Sequence, residues 1–181
     1  MRNENTYKEL LTEAMDTIAL KEGSVFCGQA VAVEGTALRG TLLNIPQSKL
    51  IEFPVDEDFQ MGFCIGLAYS GLLPVCIFPR WNFLLAATNQ IVNYLDKLKD
   101  LSKLSAPPKV IIRTAIGSKV PLNPGIQHIG DYTSQFKSLL SNVVVVRLDS
   151  KSQIKPEYEK AVDRNDGVST ILVEHTDLYS S

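Results

Sequence analysis

Apolar residues recur near the start of the chain at Tyr7, Leu10, Leu11, Ala14, Met15 and Ile18, the three-to-four spacing of a helix with one buried face. Thr6 stands at the N-cap position, and Glu9 three residues later completes a capping box. After Gly23 the pattern changes. Short, largely apolar runs at 25–27, 50–53, 73–78, 110–113, 143–146 and 170–174 predict strands, separated by helical patterns at 58–70, 82–102, 132–140 and around 156–164. Strands that are apolar throughout, and do not alternate, are buried on both faces. Regular alternation of strand and helix then predicts an α/β fold, a mostly parallel sheet flanked by helices on both faces. Segments 29–40 and 114–131 follow neither period. A loop as long as the second is usually functional or mobile in a compact domain. No repeat or internal linker interrupts 1–181, which reads as a single domain.

Composition narrows the function classes. A net charge of −2 gives no electrostatic reason to expect nucleic acid or an anionic membrane as partner. The apolar run at 63–78 is shorter than the roughly 20 residues of a membrane span, and Gly71 and Pro74 break it. No secretory signal pattern opens the sequence. Cys27, Cys64 and Cys76 lie in apolar segments without metal-ligand spacing. They read as buried free thiols of a reducing compartment, which predicts a cytoplasmic protein with no metal site of its own.

In open α/β sheets, ligands bind beyond the carboxyl ends of the strands. That rule selects Gly28-Gln29, Asp56-Glu57-Asp58, Arg80-Trp81-Asn82-Phe83 and the segment with Gln127-His128. Each also has an ordinary structural reading. First-turn carboxylates favour the helix dipole, which suffices for Asp56 and Asp58. Trp81 and Phe83 could pack in the core. A lone histidine is more often structural than catalytic, and His175 reads as a surface residue. The charges at Asp96, Lys97, Lys99, Asp100 and Lys103 read as a solvated helix face.

The stretch FPVDEDFQMGFCIGLAYSGLLPVCIFPRWNFLLAATNQIVN, Phe53 to Asn93, resembles the pyrimidine-binding domain of the transketolase-like thiamine diphosphate enzymes. It is most like the beta subunit of the 2-oxoacid (pyruvate) dehydrogenase decarboxylase component. The likeness lies in the Pro before the acidic triplet, Gly62 and Gly66 in the helix, and Gly71-Leu-Leu-Pro-Val beyond it. It implies that Glu57 is the catalytic glutamate, bonded to a ring nitrogen of the aminopyrimidine. Asn82-Phe83 resembles an Asn/Asp-Phe pair whose ring lies against that pyrimidine, with Trp81 beside it. Gly125-Ile-Gln-His128 resembles a loop that carries a catalytic histidine to the active-site channel. Gln29 stands where beta subunits carry an acidic residue; its amide can hydrogen-bond the cofactor but carries no charge, which leaves the substrate class open.

The resemblance further implies that this chain holds the pyrimidine half of thiamine diphosphate. Gly130-Asp131-Tyr132 lacks the second glycine of the Gly-Asp-Gly diphosphate motif. Mg²⁺ and the diphosphate would therefore fall to a diphosphate-binding partner subunit, with self-association in a heterotetramer, and the beta subunits' carboxyl-terminal domain is lacking. The implied reaction is decarboxylation of a small 2-oxo acid with acyl or aldehyde transfer. Transketolase-type ketol transfer and a non-catalytic scaffold subunit stay open.

Overall fold

A computed structural model describes residues 5–34, 36–117 and 123–181. The predicted cap forms: the Thr6 hydroxyl accepts from the Glu9 amide at 3.2 Å and Glu9 accepts from the Thr6 amide at 2.7 Å. They open helix α1, Tyr7–Ala19, which buries Tyr7, Leu11, Ala14, Met15 and Ile18. There follow β1 (Ser24–Gly28), β2 (Leu50–Glu52), α2 (Glu57–Tyr69), β3 (Leu73–Ile77), α3 (Trp81–Ala86), α4 (Thr88–Asn93) and α5 (Leu98–Leu101). The chain continues through β4 (Ile111–Ile116), α6 (Thr133–Leu139), β5 (Val143–Arg147), α7 (Lys151–Asp163) and β6 (Ser169–His175).

The strands form one sheet in the order β2-β1-β3-β4-β6-β5, and every neighbouring pair is parallel. Successive strand residues feed opposite layers, as the period of two requires. Cys27, Cys76, Ile112 and Val173 join the core under α2, α3, α4 and α6. Phe26, Val75, Ile111 and Leu172 join the core under α1, α7 and the segment around Leu38 and Leu42. The three cysteines are buried and unoxidised.

Four sequence readings are corrected. The single helix predicted at 82–102 is α3, α4 and α5 with a 3₁₀ turn at Leu95–Lys97. The chain bends at Ala87, where the Thr88 hydroxyl bonds the Leu85 carbonyl at 2.6 Å, the local competition that makes threonine a poor interior helix residue. Asp96, read as solvated, is buried and accepts from the Ser141 and Asn142 amides at 2.8 and 2.7 Å. Burial opposes its charge, but Lys97 and those amides hold its carboxyl below the usual carboxylate range. Thr114–Ile116, read as loop, continue β4 and pair with β6. Residues 118–122 of that predicted loop lie outside the described residues. Helix α7 also begins before the predicted 156, because the Gln153 side chain accepts from the Asp149 and Ser150 amides at 2.8 and 3.0 Å; Pro156 lies inside it.

One ion pair is wholly inside. Arg113 on β4 donates to Glu174 on β6 through Nε at 2.6 Å and NH2 at 3.0 Å, and both residues are fully buried. Tyr158 and Tyr179 donate to the same carboxylate at 2.6 and 2.5 Å. Burial alone would push the Arg113 guanidinium down, but the Glu174 charge and bonds hold it above its ordinary value. Burial, with Glu174 adding to it, raises both tyrosines, so they stay protonated and serve as donors. Removing one partner of such a pair strands a charge in the core. Glu174→Gln should therefore lower unfolding free energy by about 3–5 kcal/mol in urea titration. Arg147→Met, at the partly exposed Arg147–Asp131 pair, should cost no more than about 1 kcal/mol. Equal losses would refute the special weight given to the buried pair.

Candidate active site

All strands end at one rim, so the segments after β2, β1, β3 and β4 emerge side by side in sheet order. They carry Glu57, Gln29, the start of α3, and His128. Three inter-strand steps of about 4.8 Å place the outermost of these strands about 14 Å apart at the backbone.

Gly28 closes β1 at this rim. A Cβ there would lie 2.4 Å from the Ile77 carbonyl oxygen and 3.0 Å from Val31, so only glycine lets β1 and β3 approach here. Beyond it the chain turns at Ala30, which has a positive φ of 53°. Glu52 secures that turn: its carboxylate accepts from the amides of Ala30, Val31 and Ala32 at 2.5, 2.9 and 2.8 Å. Glu52 is not among the residues that the strand-end rule selects. Its one visible signal was a carboxylate inside an otherwise apolar strand. Gln29 is half-buried beside this turn, and its Nε2 is buried without a hydrogen-bond partner among the described residues.

The acidic triplet divides its labour. Asp56 is the N-cap of α2 and accepts from the Phe59 amide at 2.9 Å. Asp58 accepts from Gln90 Nε2 of α4 at 2.9 Å. Half-buried Glu57 makes no hydrogen bond or ion pair among the described residues. Gln60, one turn further and fully buried, donates to the Ile77 carbonyl at 3.0 Å and fixes the first turn of α2 over the end of β3. Of the two helix glycines, a Cβ added at Gly62 would touch the Gln90 side chain of α4 at 3.4 Å, an ordinary contact, whereas one at Gly66 would meet nothing within 4 Å among the described residues. Gly62 thus lies on the face toward α4, and Gly66 on an open face.

At the start of α3 the sequence candidates part. Trp81 is fully buried, its ring 4.9 Å from Phe136 and 6.4 Å from Tyr132. The resemblance implies a cofactor contact for Trp81; in this chain its indole packs in the core and presents no exposed face. Phe83 is half-buried and its ring lies 5.5 Å from the His128 imidazole, tilted by 37°. His128 Nδ1 lies 3.0 Å from Asn82 Oδ1. Arg80 reaches the Gly117 and His128 carbonyls with NH1, the latter at 3.4 Å. Burial lowers its guanidinium from the ordinary arginine value, with Asp177 opposing. The structure thus joins Phe83 to His128 and reveals Arg80 and Asn82 as the residues that hold the histidine's loop. His175, read as a surface residue, is half-buried with Nε2 3.0 Å from Asp149 Oδ1. Among the described residues, no cluster of three or more His, Cys, Asp or Glu could hold a metal ion, and no helix is long and apolar enough to cross a membrane.

Known proteins share both the sequence and the fold. The chain is 30% identical over 140 residues to the mitochondrial pyruvate dehydrogenase E1 component subunit beta of Chaetomium thermophilum, covering 75% of this chain and 36% of that protein. It is 29% identical over 133 residues to the corresponding subunit of Rickettsia felis, covering 71% and 40%. The chain thus spans less than half the length of these relatives. A split-gene transketolase, solved as an inactive β4 tetramer, superposes with a TM-score of 0.69 at 14% identity, over 94% of this chain and 51% of that one. At that identity the likeness shows the fold alone. The family described as transketolase, pyrimidine binding domain, matches residues 3–181, and with the rim geometry in place the chain belongs to that family of thiamine diphosphate enzyme domains.

Proposed function

We propose that this chain, as one domain, is the pyrimidine-binding subunit of a split thiamine diphosphate-dependent enzyme that decarboxylates a 2-oxo acid and transfers the acyl or aldehyde group. The observation that carries this reading is the free carboxylate of Glu57. Its two neighbours have structural partners, Gln60 fixes its helix, and it stands at the rim where the sheet presents ligands. An acid held beside a ligand without competing bonds is available to hold or pass a proton.

The residues present suit an aminopyrimidine. Glu57 offers a carboxyl to a ring nitrogen, the orphaned Nε2 of Gln29 offers a donor, and half-buried Phe83 offers an aromatic face. When bound, thiamine diphosphate supplies the carbanion that adds to a substrate carbonyl. The protein's part is to hold the pyrimidine, keep the Glu57 proton at the ring nitrogen, and present His128 to the substrate. Among the alternatives, ketol transfer uses the same site residues, and a scaffold role would leave the unpartnered Glu57 without a purpose.

A partner subunit supplying the diphosphate and Mg²⁺ ligands fits relatives that are themselves beta subunits. So does the surface of α2 and the segment before it, where Val55, Phe59, Phe63 and Tyr69 are exposed and the Phe59 and Phe63 rings meet Phe53 edge-on. Such an apolar face suits burial against a partner helix or a second copy. The three buried thiols accord with a reducing, cytoplasmic setting.

Glu57→Gln keeps size and hydrogen bonding but loses the transferable proton. In the assembled enzyme, cofactor affinity should change little while exchange of the thiazolium proton slows by roughly 100-fold or more. Asp56→Asn should cost only about 1 kcal/mol of helix stability. Equal, mild effects of the two substitutions would make Glu57 an ordinary first-turn carboxylate. His128→Ala should depress turnover of a 2-oxo acid and leave thiazolium exchange nearly intact; undiminished turnover would return it to a structural role. Calorimetry should show weak thiamine diphosphate binding by this chain alone and Mg²⁺-dependent binding once the diphosphate-binding subunit is added. Tight binding by the chain alone would refute the division of the site.

A further inference from the structure

Three constraints converge on one imidazole. The Arg80 guanidinium holds the backbone carbonyl of His128 at 3.4 Å and also reaches the carbonyl of Gly117, at the end of β4. The Phe83 ring lies against the imidazole at 5.5 Å. Asn82 Oδ1 stands 3.0 Å from Nδ1. Asn82 and Phe83 come from the first turn of α3 and Arg80 is its N-cap; that turn is itself anchored by Trp81, whose indole is sunk in the core against Phe136. The buried indole fixes where Asn82 begins, and the Arg80 bond fixes where His128 begins.

An amide oxygen can only accept, so a neutral imidazole bonded to it must carry its proton on Nδ1. Free imidazole prefers the other tautomer, with the proton on Nε2. Bonding at one ring nitrogen therefore decides the state of the other. We propose that Asn82 is a positioning residue that locks neutral His128 in the Nδ1–H tautomer, leaving Nε2 as the ring's proton acceptor. Nε2 makes no hydrogen bond among the described residues, so its lone pair is left for a substrate or cofactor group. His128 then enters the reaction by taking a proton and not by giving one. For the role of His128 this deepens the thiamine diphosphate reading and rests on it; the tautomer itself does not.

The molecule contains its own reference. His175 is the only other histidine, and it meets the Asp149 carboxylate through Nε2 at 3.0 Å. A carboxylate acceptor there requires the proton on Nε2. The two histidines of one chain should therefore carry opposite tautomers.

The test is long-range ¹H–¹⁵N correlation on the full chain labelled with ¹⁵N-histidine, without cofactor or partner, at alkaline pH where both rings are neutral. His128 should show a protonated, pyrrole-type Nδ1 and an unprotonated, pyridine-type Nε2, and His175 the reverse. Asn82→Ala should move His128 to predominantly Nε2–H while His175 stays unchanged. Asn82→Asp retains an acceptor oxygen and should keep the Nδ1–H form. A wild-type His128 already in the Nε2–H form would overturn the proposal, whether or not the variants fold. So would an Asn82→Ala chain with the wild-type tautomer. Because the signal is read without cofactor, it is independent of thiamine diphosphate binding to the assembled wild-type enzyme, which tests the functional reading by itself.

Discussion

Every strand of the sheet points the same way, and the rest of the molecule follows from that constraint. Parallel strands need crossovers, the crossovers cover both faces, and the strands between them are sealed from water. The same constraint gathers the carboxyl ends of β2, β1, β3 and β4 on one edge. Segments far apart in sequence, from that of Gln29 to that of His128, thereby leave the sheet at one edge.

Sealing the sheet makes polar groups within it expensive unless they are paired. The layer under α1 and α7 meets this with a carboxylate that receives Arg113, Tyr158 and Tyr179 together. The layer under α2 and α4 is apolar around its three thiols, and there Gln60 supplies a polar tie to the Ile77 carbonyl. That tie lies one turn from Glu57, so a buried bond joins the Asp56 cap in fixing the helix that carries the candidate acid.

At the rim, a side chain's bonding state separates structural from chemical roles better than its type does. Glu52, Asp56, Asp58 and Glu57 are four carboxylates close in sequence. The first closes a turn, the second caps a helix, the third joins two helices, and only Glu57 is left unengaged among the described residues. The aromatic pair divides in the same way. Trp81 is absorbed by the core, and the turn it anchors places Phe83 and Asn82 against His128.

The sequence by itself determined the fold class, the capping box of α1, the acidic cap of α2 and the strand cores, because each rests on local periodicity or on a bond between residues a turn apart. It also determined which segments meet at the rim, since parallel topology converts strand order into position. The tertiary structure alone decided that Asp96 turns inward, because its carboxylate is held by amides 45 and 46 residues away. It alone removed Trp81 from the rim, since burial of an indole depends on Phe136 and Tyr132 from another element. The holding of His128 by Asn82 and Arg80 was equally out of reach: hydrogen bonds across 46 and 48 residues leave no period in a sequence.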